Sequence, residues 1–251
     1  MASKTMTLDQ LIAQLRAVHG SALKAVVLYG SAASDEQIAG RSDLNVLEIL
    51  ESVTLGQLRQ LGQTMRAWQE AGNPPVLSMT LDEWRRSADI FPMEYADILE
   101  RHRVLDGELP MEGVTVHIPE LRLQTEKEAM GKLLRLRRGV MVAGTDTDRQ
   151  RALLRESFSA LMVIFRAVLR LHRVRPARDG RVVIADVASR CGVAASPYER
   201  VYALVHGDAI ADREIEAVLS GYVQGMDVLV SYLDQFTPPP AVDAPFTPRI
   251  T

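Results

Sequence analysis

Cysteine is nearly missing: Cys191 stands alone in 251 residues. A single thiol excludes an internal disulfide framework and any zinc site built on several thiolates, and it suits a reducing, cytoplasmic setting. Long apolar runs are missing too. Nowhere do eighteen apolar residues follow one another, so no membrane-spanning helix is expected. The first residues, "MASKTMTLDQLIAQL", carry one lysine and then an amphipathic pattern in place of an apolar signal core, so no secretion signal is expected. Nor is there an excess of charge of one sign. A formal net charge of −3 and a pI near 6.0 give no general pull toward nucleic acid or an anionic membrane.

What is present is an ordinary globular composition, 47% hydrophobic and 24% charged, long enough for one large domain or two modest ones. Thr7 is placed to cap a helix with Leu8, Leu11, Ile12, Leu15 and Val18 on one side, ended by Gly20. A strand follows from Lys24 to Tyr29, a tight Gly30–Ser31 turn, a polar loop through Gly40, and a second apolar strand opened by Asp43, "DLNVLEIL". Thr54 caps a helix reaching about Ala71, which "NPP" breaks. "VLSM" reads as a short strand, "TLDEWRRSA" as a capped helix, "DIFPMEYADIL" as a strand, and "HRVLDGELP" as the closing stretch, with a turn at Asp106–Gly107.

The pattern then changes. Leu154, Phe158, Leu161, Phe165, Leu169 and His172 recur in steps of three and four, as do Ile215, Leu219, Tyr222, Met226, Leu229, Leu233 and Phe236. Such stripes want helical partners, and an antiparallel bundle is the economical arrangement. The fold class is therefore α+β: a sheet flanked by helices over residues 1–115, a helical bundle over 116–237, and a Pro-rich tail, "PPPAVDAPFTPRIT", covering 238–251.

Along a strand, residues two apart share a face, so Asp43 and Asn45 point one way together with Leu47 and Ile49, while Leu44 and Val46 point the other. Gly30 allows close approach of a ligand to the backbone, and Ser31 offers a hydroxyl and an N–H. Together they suit a phosphate. The stretch "LYGSAASDEQIAGRSDLNV" resembles the signature of the DNA polymerase β-like nucleotidyltransferase superfamily, with eleven residues between Ser31 and Asp43. The later "DIFPMEYADILERHRVLDGE" and the helical second half are similar to small-molecule and antibiotic nucleotidyltransferases. The resemblance implies a nucleotidyltransferase-type mixed sheet. It also implies transfer of a nucleoside monophosphate from an NTP, ATP foremost, to a small-molecule or protein hydroxyl, with Mg2+ held by three carboxylates.

Asp43 matches the first of those carboxylates, and Asn45 stands at the second. An amide oxygen can ligate magnesium but brings no charge. Asp89, Glu94 and Asp97 are candidates for the third. Strand alternation, with Met93 and Tyr95 on a helix-covered face, favours Glu94 and turns Asp97 away. Positive charge concentrates in "KLLRLRR" and "FRAVLRLHRVRPARDGR", and Arg135, Arg138, Arg166 and Arg170 are candidates for a triphosphate, set against plain solvated helix faces. His172 lies on an apolar stripe and reads as packed, with no metal-ligand spacing. Beside the enzyme stands a second reading, a catalytically impaired protein that keeps the fold to bind a nucleotide or a partner. Nothing in the sequence names the acceptor.

Overall fold

The computed structural model describes residues 6–33 and 44–237, which divide into two compact units, one ending at Val116 and the other beginning at His117. Asp43 and the Pro-rich tail lie outside the described residues, and of Ser31 only the backbone is described.

The first unit opens with α1 (Leu8–His19). The Thr7 hydroxyl accepts the Gln10 N–H, and the Gln10 side chain takes the Thr7 N–H in return, which satisfies two donors that the first turn leaves unpaired. After β1 (Leu23–Tyr29) the chain enters a single tight turn, Gly30–Ala33, and β2 runs Asn45–Leu50. The expected helix after Thr54 is two, α2 (Leu55–Gln60) and α3 (Gly62–Glu70), broken at Leu61. Then come β3 (Leu77–Thr80), α4 (Leu81–Arg86, boxed by Thr80 and Glu83), α5 (Pro92–Glu100) and β4 (His102–Gly107). The four strands lie in the order β3-β2-β1-β4, with β1 antiparallel to both neighbours and β2 parallel to β3, so the sheet is mixed.

Alternation sorts the two faces. Val26, Leu28 and Val46 meet Leu11 and Leu15 of α1 and Leu61 and Trp68 near α3, forming a closed core. Glu48 belongs to this face and is buried; the Ser78 hydroxyl donates to it at 2.5 Å, and His19 Nε2 lies 3.4 Å from its other oxygen without a hydrogen bond. Burial raises the Glu48 carboxyl above its usual range, and Ser78 and His19 offset only part of that. The opposite face carries Leu47 and Ile49 beside Leu77 and Met79. There Tyr95 stacks on Trp84 at 4.4 Å and donates its hydroxyl to the Trp84 carbonyl at 2.8 Å.

The strand expected over "DIFPMEYADIL" is a helix. Burial falls on Pro92, Met93, Tyr95, Ala96, Ile98 and Leu99, a pattern with helical recurrence that strict alternation cannot place on one side. Pro92 stands in the first helical turn, where its missing N–H costs nothing. The fourth strand, β4, begins at His102, thirteen residues after the expected start at Asp89, in the closing stretch "HRVLDGELP". It ends at Gly107 (φ 67°), where a side chain would have its Cβ 1.9 Å from the Lys24 carbonyl oxygen. Only glycine fits there.

The second unit is helical: α6 (Ile118–Ala143), α7 (Thr147–Leu171), α8 (Gly180–Cys191), α9 (Ala195–Val205) and α10 (Asp212–Gln235). Both expected stripes are buried from Leu154 to Leu169 and from Ile215 to Leu233. His172 is half-buried just past the end of α7. Its Nε2 lies 2.7 Å from the Tyr232 hydroxyl, and Phe236 caps α10 without joining it. Among the described residues, no helix is long and apolar enough to cross a membrane.

Candidate functional site

The polar end of the sheet is one row of side chains. Tyr29, the last residue of β1, pairs with Asn45 at the start of β2 on one side and with His102 at the start of β4 on the other. Directly opposed residues of antiparallel strands share a face, so Asn45, Tyr29 and His102 project together. The turn begins at the next residue, Gly30 (φ 77°), and a Cβ there would lie 3.4 Å from the Asn45 amide nitrogen. Asn45 therefore sits against the one residue in the turn whose backbone is bare. The strand's entry is held by Asn73, whose side-chain oxygen accepts the Leu44 N–H at 3.0 Å.

Helix α5 supplies the charge. Glu94 is exposed in its first turn, and Asp97 is one turn on and half-buried, so the two share a face of the helix. The Tyr29 phenol is held above its ordinary pKa, first by burial and then by the negative charges of Glu94 and Asp97, which places both carboxylates within electrostatic reach of the row. The alternation argument that separated Glu94 from Asp97 falls with the strand it assumed, and helical geometry puts them side by side. Asp89 is exposed in the turn before α5.

His102 was not singled out by the sequence. Its Nδ1 lies 2.7 Å from the Ile98 carbonyl, the last turn of α5. A ring nitrogen facing a carbonyl must carry a proton, so in the neutral ring it is Nε2 that holds the lone pair. Asn73, read from sequence only as a helix breaker, was missed in the same way. The signal available in both cases was long-range pairing, which no local pattern contains.

Amide and carboxylate oxygens are the donor type magnesium takes. Among the described residues, however, no three His, Cys, Asp or Glu side chains gather as a metal-binding group. Asp43, the first carboxylate expected from the sequence, lies outside the described residues. The arginine candidates belong to the second unit. Arg135 and Arg138 are exposed on α6, with Arg135 Nε donating to the Gly131 carbonyl at 3.3 Å; Arg166 is half-buried, and Arg170 is fully buried in α7.

No protein-family model and no curated protein matches the chain. Among solved structures it is similar to the spectinomycin adenyltransferase of Enterococcus faecialis, crystallised with ATP and spectinomycin, at a TM-score of 0.56 and 11% identity over 91% of this chain and 100% of that one. At that identity the likeness speaks to architecture alone: the chain, with its mixed sheet flanked by helices and its helical second unit, has a nucleotidyltransferase-like fold.

Proposed function

We propose that the protein binds a nucleoside triphosphate, ATP in the first instance, with magnesium at the Tyr29 end of the sheet, and transfers its nucleoside monophosphate to a hydroxyl of a small molecule or protein. The observation that carries this reading is the row Asn45, Tyr29 and His102, beside a bare Gly30 and faced by Glu94 and Asp97. The solved adenyltransferase holds ATP and a small molecule, which supports the same substrate classes here.

In this reading Gly30 and the Ser31 N–H cradle phosphate oxygens. Asp43, Asn45 and Glu94 are the residues to hold magnesium, which when bound supplies charge compensation for the phosphates. His102 Nε2 is oriented to accept the proton of the attacking hydroxyl, a task Asn45 cannot perform.

A second reading, nucleotide binding without transfer, is favoured by Asn45 itself, since the amide removes a full negative charge from the expected metal site. Calorimetric titration with ATP, with and without magnesium, followed by a pyrophosphate-release assay, separates the two. Magnesium-dependent binding with release supports the enzyme. Binding without release supports the second reading, and no binding of any NTP sinks both. At a hundredfold excess over Kd, bound ATP should add roughly 2.7 kcal/mol of stability.

A further inference from the structure

Helix α6 has two apolar faces, and only one of them is used within its own unit. Leu121, Thr125, Ala129, Leu133 and Leu136 are buried, on the side that packs against α7 and α10. On the far side Leu123, Met130, Leu134 and Met141 are exposed, Leu123 by 63% and Met141 by 74%. At about 100° of rotation per residue these four fall within about 40° of one another, a straight stripe along most of a 26-residue helix. The outer face of a helix in a globular unit ordinarily carries polar side chains, so a continuous apolar line there marks a contact surface.

The stripe is its own complement. Its residues are spaced by seven, four and seven, the recurrence of a coiled-coil seam, and the spacing reads the same from either end. Two copies of α6 laid antiparallel about a two-fold axis therefore bring Leu123 onto Met141 of the second copy and Met130 onto its Leu134, apolar against apolar at every step. Charge chooses that direction. Residues 118–131 hold Glu120, Glu126 and Glu128 against Arg122 and Lys127, a balance of −1, whereas 132–143 hold Lys132, Arg135, Arg137 and Arg138 and no acid, a balance of +4. Parallel pairing would set the two basic halves side by side, and antiparallel pairing sets each against the acidic half. Lys127 then falls opposite Arg137, a meeting of like charges that Asp227, already paired with Arg137, offsets.

We infer that the exposed stripe of α6 is a self-association surface, on which a second copy of this chain docks its own α6 antiparallel. From Leu123 to Met141 the seam is about 27 Å long. One helix per copy over that length lies at the low end of specific interfaces, so the dimer is weak and forms as concentration rises. It forms whether or not the corner of the sheet binds a nucleotide.

Sedimentation velocity on the full chain from about 1 µM to about 1 mM, a range that brackets a weak interface, should show monomer passing to dimer. Met141→Glu should raise the dissociation constant about tenfold or more. Val142→Glu is the control: Val142 is also 74% exposed but points about 100° away from Met141, so the constant should stay within about twofold. Direction is read by oxidative cross-linking, in which the buried Cys191 does not compete. Leu123→Cys mixed with Met141→Cys should link, and neither variant alone should link to itself. The Met130 and Met141 methyls should be open to a soluble paramagnetic agent in the monomer and shielded in the dimer. The inference is overturned if the chain stays monomeric throughout, if Met141→Glu associates like the parent or no more weakly than Val142→Glu, or if either single cysteine variant links to itself. Methyls already shielded in the monomer overturn it as well, and give the stripe to the chain's own residues 238–251.

Discussion

Replacing Gly107 with alanine should be among the most damaging single-methyl changes the first unit can suffer. The added Cβ would stand 1.9 Å from the Lys24 carbonyl oxygen, 2.8 Å from its carbon and 3.2 Å from Ala25 Cα, all backbone atoms that no rotamer change can move. The left-handed conformation at φ 67° adds about 1–2 kcal/mol for any residue with a Cβ. Relieving the clash means parting β4 from β1 at the Ala25–Gly107 pair, with loss of the Glu108 N–H to Lys24 carbonyl bond of 3.2 Å, a further ~1 kcal/mol. The total is about 2–3 kcal/mol, or a fall in Tm of about 8–24 °C for a unit of this size. Both tryptophans, Trp68 and Trp84, lie in this unit, so their fluorescence during urea or thermal unfolding reports on it alone. Gly113→Ala is the control, because Gly113 has φ 78° but nothing within 4 Å of its would-be Cβ, and so isolates the backbone cost. If the two variants lose the same stability, the steric argument is wrong.

Three other outcomes are expected. Because burial raises the Glu48 carboxyl, the ionised form costs stability; below the unfolded-state value Glu48 is protonated in both states, and the cost sets in as pH rises above that value and is complete above the raised pKa. Glu48→Gln should therefore gain on the parent chain as pH rises above about 4, the ordinary glutamate range, and a pH-independent difference in unfolding free energy contradicts this. Glu94→Gln combined with Asp97→Asn should lower the Tyr29 phenol pKa, read by ultraviolet titration as the difference from the Tyr29→Phe chain; an unchanged value places the carboxylates away from the row. His102→Gln should cut pyrophosphate release by about 10²-fold or more and flatten its pH profile while ATP affinity stays within about twofold. A proportional loss of binding would make His102 a structural residue only.

Much of the first unit is written locally. Thr7, Thr54 and Thr80 each precede a Gln or Glu by three residues, and all three form the reciprocal cap. The period-two run after Asn45 places Asn45, Leu47 and Ile49 on one face because a strand buried on both sides still alternates. The stretch at 89–99 was misread because Met93 and Tyr95 look alternate, and the decisive signal, Pro92 opening a run buried at 92, 93, 96 and 99, has the helical period. The site was half legible for a related reason. Gly30 and Asn45 are near one another in a hairpin-like pairing that sequence distance allows, whereas His102 and Asn73 reach the corner only through strand order and a long-range hydrogen bond. Glu48, the single glutamate of β2, meets His19 and Ser78 only through the fold, since nothing local in the sequence brings the three together.

The most direct test of the proposed nucleotide site is a magnesium titration of the parent chain and Asn45→Asp, each with ATP, followed by Tm and by pyrophosphate release. A carboxylate on the Tyr29 row next to Gly30 should bind the metal–nucleotide more tightly. It should cost stability in chelator, where it adds negative charge near Glu94 and Asp97, and recover that loss when magnesium and ATP are added. The account predicts a lower Tm than the parent in chelator, a larger rise on adding magnesium with ATP, and faster pyrophosphate release. Identical responses of the two chains would contradict it, because residue 45 would then lie outside any metal–nucleotide site.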